Sequence, residues 1–460
     1  MATAPGRGGV ALVRVSGPAA VAVAGAVLRP AHGAWPPVPR RATLVAAHDP
    51  ATGRLLDRGL ATVFPGPRSF TGEDVVEVST HGGLAAPAAV LAALVAAGAR
   101  PAAPGEFTRR AVLLGKLDLA QAEAVGDLVD ARTDAMRAAA LRQLDGGLSR
   151  RVAALRDRVL AVEALVAYDV DFPEEDDGPV ARDRVRLAAE EARAAVDALL
   201  ATAAAGEIVR EGAVVVLAGP PNAGKSALFN ALAGEARAIV SEVPGTTRDA
   251  LEVLVEAPVD ATTDANAAPW PLRLVDTAGL RDTPDVVERL GLDVGDRWLR
   301  RAHVVAACGE TPADVAATAA HAAARTDAPV VGVWTKADLR PSDAVPEQHR
   351  AVLAGWVAVS AESGAGLGTL LGALAGAVAE RYGGVDPDLP LVTRARHRHA
   401  LETGRAELDA FVTAWTVGAL PATVAAVHLH AAAAALGDII GAVDVEDVLG
   451  RVFGTFCVGK

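Results

Sequence analysis

Cysteine is nearly absent from this chain: Cys308 and Cys457 are the only two among 460 residues. Two thiols cannot build a disulfide framework, nor complete a zinc site by themselves. Positive charge is also scarce. Lys and Arg number 44 against 56 Asp and Glu, a net charge of −12, which argues against broad, unaided binding to a phosphate backbone. A nucleic-acid partner would have to be held by a local patch or presented by another protein. Long apolar runs are missing too. The longest, "LAAPAAVLAALVAAGA" (84–99), is mostly alanine and shorter than a bilayer-spanning helix requires. The opening "MATAPGRGGVALVRVSG" lacks the cationic stretch and apolar core of a signal peptide. These absences predict a cytoplasmic protein with no membrane partner.

What is present is ordinary for a globular protein, with 51% hydrophobic and 22% charged residues, and the length suffices for two or three domains. Residues 1–118 mix β-type runs ("GGVALVRVSG", "GLATVFPG", "DVVEVSTHGG") with one Ala/Leu-rich helical stretch, which predicts a compact α+β domain. From 119 to 211 the pattern is helical. Leu141, Leu144, Leu148, Val152, Leu155, Val159, Val162 and Val166 recur in steps of three and four, placing one apolar stripe on a long helix. "GG" at 146–147 weakens that helix locally. Between 212 and 380 apolar strands alternate with helices ("AVVVLAG", "PLRLVDTAG", "AHVVAAC", "APVVGVW", "GWVAVSA"), the signature of a parallel α/β sheet. Residues 381–460 return to helical patterning. The simplest architecture is a discontinuous α-helical domain with an α/β domain inserted into it.

Chemistry concentrates in the inserted segment. "GPPNAGKS" (219–226) follows a strand and opens the helix "SALFNALAG", the P-loop pattern in its required context. Gly219 and Gly224 free the backbone N–H groups around Asn222, Ala223 and Ala227 to face phosphates. Lys225 suits the terminal phosphates and the Ser226 hydroxyl suits Mg²⁺. "PGTTRD" supplies Pro244, Gly245, Thr246 and Thr247, with Thr247 able to join the Mg²⁺ shell. "DTAGLR" supplies Asp276 near the metal, then Thr277, Ala278 and Gly279 near the γ-phosphate. In "TKAD" (Thr335, Lys336, Ala337, Asp338) the Asp338 carboxylate accepts from guanine's N–H donors and rejects adenine. Ser360, Ala361 and Glu362 of "VSAES" would close over the base. Four elements in this order behind the P-loop predict a Ras-like P-loop G domain that hydrolyses GTP. Thr335 stands where such proteins usually carry Asn, whose amide ties this loop to the P-loop.

The whole chain resembles the MnmE (TrmE) family of tRNA-modifying GTPases. The matching segments are "APGRGGVALVRVSG", "FTGEDVVEVSTHGG", "PGEFTRRAVLLGKLDLAQAEAVGDLVDA", "DVDFPEEDD", "DTAGLRDTPDVVERLG" and the terminal "FCVGK". The resemblance implies K⁺ ligands at Asn222, Ser241, the Val243 carbonyl and Thr246, with Glu242 among the nucleotide contacts. A fixed cation there would neutralise charge developing between the β- and γ-phosphates. It implies that Glu288 orients the attacking water. It also implies an amino-terminal domain that binds a folate such as 5-formyltetrahydrofolate through Arg14, Glu77, Lys116 and Lys460, and that forms a homodimer. If Lys460 reaches the folate, the tail is docked, and Cys457 stands beside a one-carbon donor as a candidate nucleophile or general acid/base; packing of the tail is its alternative role. Cys308 reads as an inert core thiol.

The function so implied is a K⁺-dependent GTPase. With an FAD-dependent partner of the MnmG (GidA) type, in a heterotetramer, it would install a 5-aminomethyl or 5-carboxymethylaminomethyl group on the wobble uridine of certain tRNAs. The alternative is a regulatory GTPase, for example in ribosome assembly, without one-carbon chemistry. A membrane-associated GTPase finds no basic amphipathic helix or lipidation site to support it.

Overall fold

Alternation of apolar and polar residues in the first eighty positions builds an antiparallel sheet with one buried face. The computed structural model describes residues 1–171, 180–235, 251–257, 269–276, 295–339, 353–383, 390–417 and 421–441. Strands β1 (Val10–Ser16), β2 (Leu28–Pro30), β3 (Thr43–His48), β4 (Leu55–Phe64) and β5 (Val75–His81) pair in the order β1-β5-β4-β3-β2. Val13, Val45, Ala47, Ala61, Val63, Val76 and Val78 share the buried face. They pack with Ala24 and Val27 of α1 (Ala20–Val27) and Val90 and Leu94 of α2 (Ala85–Ala96). Period-2 patterning thus puts Arg14, beside Val13, on the opposite face, where its register partner is Glu77. Helices α3 (Glu106–Leu113) and α4 (Leu119–Asp130) follow. The first unit is Met1–Gly126 with Gly437–Lys460, and the second is Asp127–Leu436.

In the second unit, the apolar stripe read as one long helix is two. Helix α5 (Asp134–Leu144) stops and α6 (Gly147–Asp171) starts across Gly146, whose φ of 79° is left-handed. A glycine at this position ends a helix cheaply because it has no Cβ to clash. The stripe remains buried on α6, at Leu148, Val152, Leu155, Val159, Val162 and Val166, whereas Leu141 and Leu144 on α5 are only half-buried. Each fully buried side chain of this size contributes roughly 1.5–3 kcal/mol. Helix α7 (Arg182–Leu200) packs against both α6 and the later helix α12 (Ala395–Val417). The helical domain is therefore discontinuous in sequence, with α8 (Ala203–Glu211) leading out of it into the inserted G domain.

That domain is a six-stranded sheet of order β11-β10-β9-β6-β8-β7, formed by β6 (Ala213–Ala218), β7 (Leu251–Ala257), β8 (Trp270–Asp276), β9 (Val304–Gly309), β10 (Val330–Trp334) and β11 (Gly355–Ala358). Its central strands are buried on both faces, as continuous Val/Ala runs dictate. Val215 and Leu217 face α9 (Lys225–Glu235) and α11 (Leu367–Tyr382). Val214 and Val216 face α10 (Pro312–Ala323). The edge strand β7 departs from the expected all-parallel sheet, running antiparallel to β8. Its sequence "LEVLVEA" alternates, burying Val253, Val255 and Ala257 and leaving Glu252 and Glu256 half-buried, as an edge strand should. Glu256 Oε1 accepts from the Ala135 N–H (2.8 Å), so the G-domain edge caps the amino terminus of α5.

Helix α13 (Ala422–Ile440) is long and apolar enough to cross a membrane by length and composition. Ala425, Leu429, Ala432 and Leu436 are buried at steps of three and four, the pattern of a core helix.

Candidate functional site

Parallel strands deliver their carboxyl ends to one edge of the sheet, and the sequence motifs lie on those ends. Strand β6 runs into the P-loop. Gly219 is irreplaceable on packing grounds, since a Cβ there would stand 2.4 Å from the Cys308 carbonyl oxygen. Asn222 (φ 64°) and Gly224 (φ 77°) are both left-handed, turning the loop back before α9 begins at Lys225. Ser226 and Ala227 are exposed in the first turn of α9 and Ala223 is buried beneath it. Lys225 is 7% exposed, and its Nζ donates to the carbonyls of Gly219 (2.9 Å) and Pro220 (2.7 Å). This holds the ammonium inside the loop that phosphates would enter.

Asp276 ends β8 opposite Leu217 of β6 and is fully buried. Cys308, the residue before the end of β9 on the other side of β6, is also fully buried. Burial pushes its thiol up to about 12, the Lys225 ammonium pulling the other way and the Asp276 carboxylate adding to the rise. The thiol therefore stays protonated and unreactive, in keeping with a core cysteine.

At the far end of the edge lies the "TKAD" segment after β10. Thr335 is buried, and both its N–H (3.0 Å) and its hydroxyl (3.1 Å) donate to the Gly309 carbonyl. The Ala337 N–H donates to the Val359 carbonyl (3.0 Å), which sets "TKAD" beside Ser360, Ala361 and Glu362. Ser360 is buried and organises its own turn, its Oγ accepting from the Ser363 N–H and its carbonyl from the Gly364 N–H. Asp338 is exposed at the mouth. Lys336 Nζ donates to the Asn222 carbonyl (3.2 Å) and pairs with Glu310. The "TKAD" loop and the P-loop are thus joined directly, by a lysine and a glutamate that their motifs do not mark as a pair. Position 310 carries no motif, and only the strand ends bring it to Lys336.

The structure therefore brings Asn222, Ala223, Gly224, Lys225, Ser226, Ala227, Asp276, Thr335, Lys336, Ala337, Asp338, Ser360, Ala361 and Glu362 to one edge. Ser241, Glu242, Val243, Pro244, Gly245, Thr246, Thr247, Thr277, Ala278, Gly279 and Glu288 lie outside the described residues, as do Cys457 and Lys460.

In the first unit, the expected folate contacts Arg14 and Glu77 meet each other. Arg14 Nη2 and Nε donate to Glu77 Oε1 at 2.6 and 2.8 Å. The guanidinium also lies 5.7 Å from the ring centres of both Phe70 and Phe107. Lys116 Nζ donates to the Pro67 carbonyl (3.1 Å), and its side chain lies against Gly72. All three residues thus border the 67–77 segment. Beside them, Glu73 receives Arg110 and Ser16, and Glu106 receives Arg110 and Arg100. Hydrogen bonds led by Arg100 hold the Glu106 carboxyl down at about 2.

Comparison with known proteins covers the entire chain. The family profile "GTP-binding protein TrmE N-terminus" matches residues 1–116, and "MnmE helical domain" matches residues 119–457. A protein of Methylorubrum populi named tRNA modification GTPase MnmE is 46% identical, across 99% of this chain and 96% of its own. Proteins of the same name from Azorhizobium caulinodans and Heliobacterium modesticaldum are 45% and 40% identical. They cover 98% and 100% of this chain, and 96% and 98% of their own lengths.

Proposed function

The chain belongs to the MnmE family of tRNA modification GTPases, and from that premise we propose how its residues divide the work. GTP lies along the carboxyl edge of the β6–β8–β10–β11 strands, with its phosphates on the P-loop and its guanine at Asp338. The observation that carries this placement is the convergence of the P-loop, Asp276, "TKAD" and "VSAES" on that single edge, although they are spread over some 140 residues of sequence. Backbone N–H groups at the start of α9 present partial positive charge to the phosphates. Lys225 exchanges the Gly219 and Pro220 carbonyls for phosphate oxygens. Asp338 accepts from guanine N1–H and N2–H, and Ser360, Ala361 and Glu362 border the base.

The donor chemistry at this edge fits Mg²⁺, a hard cation that prefers oxygen: the Ser226 hydroxyl is exposed at the head of α9 and the Asp276 carboxylate ends the adjacent strand. Thr247 would complete the protein's share. When bound, the metal neutralises charge on the phosphates. For K⁺ the matching ligands are Asn222, Ser241, the Val243 carbonyl and Thr246, and Asn222 is held at the loop's turn as such a role needs. Glu288 orients water for attack on the γ-phosphorus, the β–γ bridging oxygen leaving with GDP.

The amino-terminal domain takes a formyl-tetrahydrofolate, with Arg14, Lys116 and Lys460 meeting carboxylates and Glu77 the pterin donors. Cys457 acts in handling the one-carbon unit. With an MnmG-type FAD partner the homodimer forms a cytoplasmic heterotetramer that modifies C5 of the wobble uridine. The test is mass spectrometry of wobble nucleosides from a strain lacking the gene, resupplied as wild type or Cys457→Ser. Restoration by wild type alone supports both the tRNA chemistry and the cysteine. Restoration by both limits Cys457 to packing, and no difference between deletion and parent refutes the reading.

A further inference from the structure

In this chain the Thr335 side chain donates to β9 and not to the P-loop. Thr335 has one side-chain donor, and it is spent on the Gly309 carbonyl at the tip of β9. The two loops are nevertheless in close contact, since a Cβ on Gly224 would stand 3.7 Å from Thr335 Cβ and 3.8 Å from Lys336 Cε. The bond that spans them is Lys336 Nζ to the Asn222 carbonyl, and the group that anchors Lys336 is Glu310.

We propose that Glu310 is a positioning residue for guanine recognition, which holds Lys336 across the Asn222 carbonyl and so performs the loop-to-loop tether for which Thr335 has no amide. The inference rests on the placement of guanine proposed above.

Three features distinguish Glu310 from an ordinary surface charge. Its backbone is fixed on both sides. Gly309, before it, is packed so closely on α10 that a Cβ would meet Asp314 Cβ and the Val315 nitrogen at 2.7 Å. Thr311, after it, caps α10, its Oγ1 accepting from the Asp314 N–H (3.2 Å) while donating to Asp314 Oδ2 (2.7 Å). Successive residues also grip successive residues, with Gly309 holding Thr335 and Glu310 holding Lys336. Finally, both ends of the tether are strained. Lys336 (φ 57°) and Asn222 (φ 64°) are non-glycine residues in the left-handed region, a conformation that persists where surrounding contacts enforce it.

The experiment is titration of the full chain with fluorescent methylanthraniloyl-GDP, in wild type, Glu310→Gln and Glu310→Ala, with thermal melting followed alongside. Both variants should bind GDP about fivefold more weakly, the upper range for a half-exposed ion pair, with melting unchanged. Adding Thr335→Asn to Glu310→Ala supplies an amide that can reach the P-loop, and should bring affinity back to within about twofold of wild type. A surface ion pair with no part in recognition would leave the GDP affinity of both variants as in wild type, and that result overturns the proposal. So does a loss that Thr335→Asn fails to relieve. If Glu310→Ala does not fold, Glu310→Gln, which keeps the shape and removes the charge, decides alone. Failure of the guanine placement itself would appear separately, as wild-type protein that binds GDP and ADP equally.

Discussion

Replacing Asp338 by Asn changes one oxygen for one NH₂ and nothing else in shape, so it isolates the chemistry of base selection. The loop around it is held by backbone bonds that the substitution does not touch: Ala337 N–H to Val359 (3.0 Å) and Leu339 N–H to Lys336 (3.0 Å). A carboxylate accepts from both guanine N1–H and N2–H. An amide can accept from one of them, and it turns a donor towards the other. One bond to a charged acceptor becomes a weaker bond to a neutral one and the other becomes a pair of opposed donors; at about 1.5 kcal/mol for each change, GTP weakens by about 3 kcal/mol, or roughly 150-fold. Xanthine carries a carbonyl where guanine carries the amino group, so the Asn amide donates to it while its own carbonyl accepts from N1–H. The variant should therefore bind xanthosine triphosphate more tightly than GTP, reversing the wild-type order. Turnover at saturating xanthosine triphosphate should stay within about threefold of wild type with GTP, because the phosphate end is unchanged. Competition against a fluorescent nucleotide, followed by phosphate release, measures both. A GTP loss below about fivefold, or no gain for the xanthine nucleotide, would refute the placement of guanine at Asp338.

Two further outcomes follow from the titrating groups. Glu106 is 13% exposed, and its carboxyl is lowered from 4.5 to about 2 by Arg100, the Ala103 N–H and Arg110. A lowered carboxyl stabilises the folded state above 4.5, and the benefit is lost as pH falls from there through about 2. Discounting for the 66% exposure of Arg100, the effect is about 2 kcal/mol. Hydrogen exchange of the α3 amides in the full chain, corrected for intrinsic rates, should lose protection over that window in wild type, and Glu106→Gln should remove most of the pH dependence; equal profiles would sink the reasoning. The Cys308 thiol, buried and pushed up to about 12, should resist alkylation by iodoacetamide at pH 8 in native protein and react once the chain is unfolded. Native labelling identified by peptide mass spectrometry would contradict it.

The motifs of the G domain were legible because phosphate and guanine recognition require fixed residue types at short spacing. "GPPNAGKS", "DTAG" and "TKAD" announce themselves without a structure. The central strands were legible for a similar reason, since burial on both faces demands unbroken Val/Ala runs. Strand β7 was missed because an edge strand buries one face only, and its alternating "LEVLVEA" carries no stronger signal than a polar helix turn. The break between α5 and α6 was half visible: "GG" marked a weak point, but the left-handed turn at Gly146 depends on how the two helices pack.

The residue pattern alone carried the chemistry on offer, namely a P-loop, a "TKAD" element and a match to one family along the chain. Tertiary structure alone decided who stands beside whom. It spent the Thr335 hydroxyl on Gly309, paired Arg14 with Glu77 across two strands, and brought Glu310 to Lys336. Such pairings join residues 26 to 63 positions apart. Their partners are set by strand order and register, quantities that no local pattern of side chains encodes.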